Sequence, residues 1–226
     1  RLLSCVWFIV KGRGYRYYVA NHEKCQIKQN EILVEAYLGK EFHGNMFYIA
    51  SAIRKNYQDY IVHIVATDVR KIRSLLRRYA IDAYVVKKDS LEYYKKLSEC
   101  RYLFTDSTLP ASFVKRKEQV CVNTWHGTPL KTLGKRIAGD PLSLDNTQRN
   151  FFFTDYIFLN NQLTIDCLNN DYMLRAVEFD RIFLNGAPRN TVFYNAERRD
   201  KLRKELGFER KKICVYMPTW RGYGRD

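Results

Sequence analysis

Short apolar runs alternate with helical patterns along most of the chain, beginning at residue 31. In the helical pattern at residues 69–79, apolar side chains recur every three or four positions. Apolar strands that alternate with amphipathic helices are typical of a parallel sheet covered on both faces. The pattern therefore predicts an α/β fold. The predicted strands are residues 32–37, 60–66, 83–86, 102–104, 119–125, 155–159, 181–184 and 212–217, and the predicted helices are residues 45–55, 69–79, 91–97 and 197–206.

The two ends of the chain differ in pattern from the middle. Residues 5–10 and 15–20 are β-rich runs joined by the flexible sequence Lys-Gly-Arg-Gly, which favours a hairpin. Residues 1–30 are therefore predicted to be a β-rich lead-in or the tail of a preceding module. Residues 31–196 form the predicted α/β domain. Residues 197–226 are predicted to hold a connector helix and the first strand of a second domain, which is truncated.

The chain carries a large surplus of positive charge. Its 226 residues include 39 Lys and Arg against 24 Asp and Glu, which gives a formal net charge of +15. Because 46% of the residues are apolar, the composition excludes a disordered polycation. The charge predicts an anionic partner, and it fits nucleic acid, a phosphate-rich substrate or an acidic membrane equally well. The polar side of the helix at residues 69–79 fits either anionic lipid or plain solvation, and its cations are Arg70, Lys71, Arg73, Arg77 and Arg78.

The cysteines and the first apolar segment argue against several classes of protein. The six cysteines form no CxxC pair and no Cys/His cluster at zinc-like spacing, so we expect reduced thiols and no structural metal. Residues 2–10 are apolar but far shorter than the ~20 residues of a spanning helix, and they lack a signal-peptide cleavage pattern. Because the first residue is Arg1 rather than Met, we expect the chain to be a piece of a longer protein.

The strongest candidate for chemistry follows the strand predicted at residues 119–125, where the sequence reads NTWHGTPLK. Thr128 is a typical N-cap and the proline after it a typical first helical residue, so the free N–H groups of a helix start here would suit a phosphate. Gly127 allows a ligand to approach the backbone closely, and Lys131 adds positive charge. His126 stands at the mouth of this turn and can accept a proton near pH 7. The alternative is that His126 only hydrogen-bonds the loop.

Three further strand ends carry basic or small residues that suit phosphate. These residues are Gly39 and Lys40 after the first strand, Arg189 and Asn190 after the seventh, and Thr219 and Arg221 after the last. Each turn taken alone also fits a plain structural role. Because ligands of parallel α/β folds bind beyond the carboxyl ends of the strands, the set together predicts a phosphate-binding site.

Three motifs, in this order and spacing, resemble those of a known family. NTWHGTPLKTLGK, NGAPRN and YMPTWR are similar to motifs of the CDP-glycerol:poly(glycerophosphate) glycerophosphotransferases. These enzymes include the polymerases and primases of wall teichoic acid, and relatives build capsule polymers. Residues 37–40 and 105–110 also resemble family elements, so the resemblance covers roughly residues 31–221. Thr191 departs from it, because the arginine motif of the family usually continues to an aspartate.

The resemblance implies a GT-B-like fold, in which two Rossmann-like halves enclose the active site. Family members transfer glycerol phosphate, or ribitol phosphate in some branches, from a CDP-linked donor to a lipid-linked polyol-phosphate acceptor. They work at the inner face of the bacterial plasma membrane, and CMP leaves. By resemblance His126 is the catalytic base, and the strand-end cations bind phosphates. We expect no metal cofactor, since the sequence shows no metal-binding pattern.

The resemblance also sets an expectation for this polypeptide alone. Residues 31–196 correspond to the acceptor-side half, and the donor-side half, which carries most of the nucleotide site in the family, would begin after them. No histidine follows the WHG motif here, because the four histidines are His22, His43, His63 and His126. We therefore expect the chain alone to be inactive.

A second hypothesis, of a different class, is a non-catalytic basic module that binds nucleic acid. The charge, with 17 Tyr and 13 Phe, would allow a basic surface with stacking aromatic rings. Against it, Phe104, Phe158 and residues 151–153 fall in apolar runs that indicate core strands. We therefore rank nucleic acid below a CDP-polyol donor and a polymer acceptor. The sequence leaves the polyol, the acceptor and the oligomeric state open.

Overall fold

The computed structural model describes residues 2–137, 144–176 and 181–217, and its first unit is built on a seven-stranded sheet. The strands are β1 (Lys28–Glu35), β2 (Ile61–Ala66), β3 (Tyr84–Lys87), β4 (Cys100–Thr105), β5 (Val120–Asn123), β6 (Tyr156–Leu159) and β7 (Ile182–Leu184). All neighbouring strands are parallel, in the order β3-β2-β1-β4-β5-β6-β7. This is the doubly wound order of a Rossmann-like sheet, and it confirms the predicted α/β class.

Helices follow most of the strands. They are α1 (Leu2–Asn21), α2 (Gly44–Asn56), α3 (Val69–Arg78), α4 (Leu91–Glu99), α5 (Asp145–Phe153), α6 (Gln162–Asp171) and α7 (Ala196–Glu205). Helices α2, α3, α4 and α7 confirm the four helices expected from the sequence pattern. Side-chain caps define where three of them begin, and at α7 the cap is Asn195, which accepts the N–H of Arg198. Asp68 accepts the N–H of Lys71 before α3, and Ser90 accepts the N–H of Tyr93 before α4.

Two clusters of apolar side chains fill the space between the central strands and the helices. Ile32 and Val34 of β1 belong to the cluster formed with α2 and α3, whereas Leu33 between them belongs to the cluster formed with α1 and α4. All three side chains are at most 4% exposed. Burial on both faces is the reason that the central strands appear in the sequence as continuous apolar runs.

A third cluster packs the last strands against α5 and α6. Trp125 and Ile157 meet Phe151 and Leu168 there. Residues 151–153, which the apolar pattern assigns to a core strand, instead form the end of α5. The helix buries Phe151 and leaves the next phenylalanine partly in solvent, as a helical period requires. The cluster holds the Trp125 ring directly before the loop that carries the histidine motif.

The prediction of β structure in residues 1–30 is wrong. Most of this segment forms the single helix α1, and Gly14 lies where α1 contacts α4. A Cβ at Gly14 would stand 2.5 Å from the ring of Tyr94 and 3.2 Å from the carbonyl oxygen of Ser90. The glycine therefore permits two helices to pack closely, whereas in the sequence it suggests a turn.

The second compact unit begins at Asn190 and contains α7. The strand predicted at residues 212–217 is not observed. Residues 211–217 have no regular secondary structure. A strand is stable only when a neighbouring strand satisfies its backbone hydrogen bonds. The described part of this unit offers no such neighbour.

The reduced state of the thiols stays a prediction. The free cysteines of the described residues are Cys25, Cys100, Cys121, Cys167 and Cys214. Burial raises the pKa of the Cys100 and Cys121 thiols, which keeps them protonated. Across the three described ranges, no helix combines the length and the apolar character needed to cross a membrane.

Candidate active site at the carboxyl ends of the strands

A pocket of about 300 Å³ lies beyond the carboxyl ends of β1, β4 and β5. Strands β1 and β4 are neighbours at the point where the strand order reverses, and a crevice opens there in doubly wound folds. The lining residues are Tyr37, Leu38 and Lys40 after β1, Asp106 and Ser107 after β4, and His126 after β5. Two of the residues predicted from the sequence, Lys40 and His126, therefore meet at one pocket.

The loop after β5 presents the imidazole of His126 to this pocket. Trp125 has a left-handed φ of 49°, and its N–H is held at 2.7 Å by Oδ1 of Asn123. Nδ1 of His126 lies 3.1 Å from the carbonyl oxygen of Asp106. Because a carbonyl oxygen only accepts, Nδ1 carries the proton, which leaves the lone pair of the neutral ring on Nε2. Nε2 can therefore accept a proton from a hydroxyl group bound in the pocket.

Two buried asparagines hold this loop, and sequence reasoning missed both. Nδ2 of Asn45 donates to the hydroxyl of Thr124 at 3.1 Å and to the carbonyl of Trp125 at 3.3 Å. Nδ2 of Asn123 donates to the carbonyl of Ser107 at 2.9 Å, which joins the loop to the turn after β4. A polar side chain at a buried position of an apolar strand or helix is the signal that could have identified them.

Arg189 reaches the same loop. Its Nη1 donates to the carbonyl oxygen of His126 at 3.0 Å, and its backbone N–H donates to Oδ1 of Asn45 at 3.3 Å. Gly127 has a φ of 145°, and a Cβ there would stand 3.1 Å from Nη2 of Arg189. The glycine thus leaves room for a guanidinium beside His126. Phosphate binding by Arg189 and Gly127 stays a prediction.

The helix predicted to begin at Thr128 is wrong. Residues 128–133 are not helical, and the first helical turn after them is the short 3-10 segment Gly134–Arg136. The hydroxyl of Thr128 accepts from Asn160 at 3.1 Å and from Asn161 at 2.6 Å, so it joins the loop to the start of α6 and does not cap a helix. The expected phosphate site at a helix start is therefore not formed here. Lys131 is exposed and does not line the pocket.

The turn after β1 places one predicted residue at the pocket and the other beneath it. Lys40 lines the pocket, whereas Gly39 is buried with a φ of 77°. A Cβ at Gly39 would lie 3.3 Å from Cγ1 of Val65, and the carbonyl oxygen of Gly39 accepts the N–H of Thr67 at 2.7 Å. Gly39 thus packs the turn onto β2 and its following loop. A direct contact of Gly39 with a ligand stays a prediction.

Asp106 lines the pocket, and sequence reasoning gave it no role although it lies in the segment 105–110 that resembles a family element. It is 3% exposed, and its Oδ1 accepts the N–H of Tyr37 at 2.8 Å. Burial raises the pKa of this carboxyl, and the hydrogen bond from Tyr37 opposes the shift. The sequence TDSTLP contains Asp106, but only the fold shows that this aspartate touches the turn after β1.

Asn190, Thr219 and Arg221 are the remaining predicted site residues. Asn190 is exposed and belongs to the second unit. Thr219 and Arg221 lie outside the described residues. The roles of these three residues stay predictions.

One buried cluster has the residue types of a metal site. Ligand atoms of Glu31, His63 and Cys100 lie within 4.8 Å of one another. The ammonium groups of Lys96 and Lys28 already contact Glu31 at 2.8 Å and 3.1 Å. Burial raises the pKa of Glu31, but the hydrogen bonds and charges of these lysines outweigh it and lower the pKa to about 2. We therefore interpret the cluster as a buried ion-pair network near the amino ends of β1 and β4.

Comparison with known proteins decides the family of the chain. The profile of the CDP-glycerol:poly(glycerophosphate) glycerophosphotransferases matches residues 16–226. The chain belongs to this family. It is 28% identical over 225 residues to a teichoic acid poly(glycerol phosphate) polymerase of Staphylococcus epidermidis, with 93% of the chain and 30% of that protein covered. It is 28% identical over 204 residues to a protein of the same name from Bacillus spizizenii, with 84% and 50% covered.

A solved structure supports the same assignment. The wall teichoic acid polymerase TagF superposes on this chain with a TM-score of 0.74 at 26% identity, covering 91% of this chain and 52% of that one. The likeness confirms the GT-B-like fold class expected from the resemblance. The chain spans about half, or less, of the length of these relatives.

Proposed function

We propose that the protein to which this chain belongs transfers glycerol phosphate from CDP-glycerol to a growing polyol-phosphate polymer. The observation that carries the proposal is the imidazole of His126, whose Nε2 lone pair is free at a pocket in the crevice of a doubly wound sheet. Family membership supports the same chemistry, since two relatives are teichoic acid poly(glycerol phosphate) polymerases.

In this mechanism Nε2 of His126 takes the proton of the acceptor hydroxyl. The hydroxyl oxygen attacks the phosphorus of the donor's glycerol phosphate, the phosphoanhydride bond breaks, and CMP leaves. Phosphoryl transfer needs positioning and neutralisation of charge more than covalent catalysis. Lys40 at the pocket and Arg189 beside the histidine loop supply positive charge for this purpose. We expect no metal cofactor.

The test is a transfer assay on the full-length parent protein with CDP-glycerol and a lipid-linked polyol-phosphate acceptor. We expect polymer growth with release of CMP, and CDP-ribitol in a parallel reaction identifies the polyol. Residues 1–226 alone are expected to give no turnover. No CMP release from the full-length protein with either donor would overturn the proposed function. Robust synthesis by residues 1–226 alone would overturn the division of the site between two halves.

We also propose that the protein is peripheral to the inner face of the plasma membrane and docks there through α3. A lipid-linked acceptor would require the site to work close to a membrane surface. Helix α3 buries Ile72 and Leu76 and exposes cations on its opposite side. Lys71 among them is held by Glu41 at 2.7 Å, whereas Arg73 and Arg77 are exposed. Basic residues close to an anionic surface contribute about 1 kcal/mol each.

The Arg73→Gln, Arg77→Gln double variant is expected to bind vesicles of anionic lipid about 30-fold more weakly, since about 2 kcal/mol of attraction is lost. Co-sedimentation of the full-length protein with anionic and neutral vesicles measures this. The control is Arg198→Gln, Lys201→Gln, which removes the same charge from the exposed helix α7. An equal loss in both double variants, or binding that does not depend on anionic lipid, would contradict docking through α3.

A further inference from the structure

We propose that Asp106 is a positioning residue that sets the distance between the two walls of the pocket, which are the loop with His126 and the turn after β1. This inference rests on the proposed function. Asp106 bonds to both walls at once. Its carbonyl oxygen accepts from Nδ1 of His126 at 3.1 Å, and its Oδ1 accepts from the N–H of Tyr37 at 2.8 Å. One residue thus holds the proton-accepting ring on one side and the turn after β1 on the other.

The turn after β1 needs such an anchor because its backbone is in a disfavoured conformation. Tyr37 and Leu38 have φ values of 49° and 56°, in the left-handed region that residues with a Cβ avoid. Such a conformation persists only where surrounding contacts enforce it, and it is typical of functional sites. The carboxylate of Asp106 fixes the first of these two residues. Without this bond we expect the turn to relax and the pocket to change width.

Asp106 is itself held on a rigid element. It follows the last residue of β4, Thr105, whose hydroxyl accepts the N–H of Ser107 at 3.1 Å. Asn123 donates to the carbonyl of Ser107 at 2.9 Å from the neighbouring strand β5. Below the turn, Glu35 at the end of β1 is fully buried and accepts from Lys88 and from the hydroxyl of Tyr93. Both ends of the Asp106 bridge are therefore anchored, as a preorganised site requires.

The proposal predicts that Asp106→Ala lowers kcat of the full-length enzyme about 10²-fold, because misplacement of a catalytic group by about 1 Å has this effect. Asp106→Asn is expected to keep most of the activity, since its amide oxygen can accept the same N–H. The control is Asp155→Ala, which removes a carboxylate that accepts the N–H of Cys121 at 2.8 Å, at the amino ends of the strands. This control is expected to lower thermal stability and leave kcat unchanged at a temperature where the protein is folded.

A second measurement does not depend on activity. In the wild-type protein, ¹⁵N NMR of the His126 ring, assigned by its absence in His126→Asn, is expected to show the proton on Nδ1 at a pH where the ring is neutral. A proton on Nε2 would overturn the proposal even if Asp106→Ala fails to fold. Wild-type kcat in a folded Asp106→Ala variant, or equal losses in the Ala and Asn variants, would also overturn it. Inactivity of the wild type with CDP-glycerol would instead overturn the proposed function.

Discussion

Replacement of His126 by asparagine is expected to lower kcat of the full-length enzyme by about 10²–10⁴-fold, the usual contribution of general acid–base catalysis. Asparagine can still donate to the carbonyl of Asp106, but it has no lone pair that accepts a proton near pH 7. The ring of His126 is exposed at the pocket, so its loss removes little buried surface. We therefore expect the variant to fold normally. Initial rates of CMP release at saturating CDP-glycerol measure the effect.

A second exposed imidazole offers a matched control for this substitution. The ring of His43 lies 5.1 Å from that of Tyr37, yet His43 does not line the pocket. His43→Asn is expected to change kcat by no more than a few-fold. Equal losses in the two variants would contradict the role of His126 as the base. A module that only binds nucleic acid would show no transfer activity even in the wild type. Its affinity for nucleic acid would change little in either variant and would fall when the cations on α3 are removed.

The alternation of strands and helices could be predicted because burial dictates it. Helices α2, α3 and α4 bury one side each, and the strands between them, β2 and β3, are mostly apolar, so the pattern of apolar positions predicts them. Helix α1 could not be identified in this way, because a glycine such as Gly14 occurs both in turns and where two helices pack closely. Local periodicity likewise does not predict the strand order, since the order depends on pairings between distant segments.

The site could be predicted only where a single turn carries its own signal. His126, Lys40 and Arg189 were found because a basic or imidazole side chain follows a predicted strand. Asp106 and Asn45 were missed because their partners are distant in sequence, 69 residues for Asp106 with Tyr37 and 144 residues for Asn45 with Arg189. Such contacts exist only after the sheet has assembled.

Among the glycines of the described residues, Gly134 is the position where one added methyl group is expected to destabilise the protein most. Its φ is 52°, in the left-handed region, and a Cβ there would stand 2.8 Å from the carbonyl carbon of Asp171 and closer still to the oxygen. The contact is with backbone at the end of α6, which cannot move aside as a flexible side chain would. The carboxylate of Asp171 also binds the guanidinium of Arg136, with Nη2 to Oδ2 at 2.9 Å. Gly134 and Arg136 thus hold the loop after the histidine motif against α6.

Gly134→Ala is therefore expected to lower the free energy of unfolding by roughly 2–5 kcal/mol, the sum of a left-handed backbone penalty and an overpacking penalty. For a protein of this size that corresponds to a fall in Tm of about 4–20 °C. Gly44→Ala is the control, because Gly44 has a φ of 62° but no atom within 4 Å of an added Cβ. It carries the backbone penalty alone, about 1–2 kcal/mol. Urea unfolding of both variants separates the two contributions, and equal losses of stability would show that α6 yields to the added methyl group.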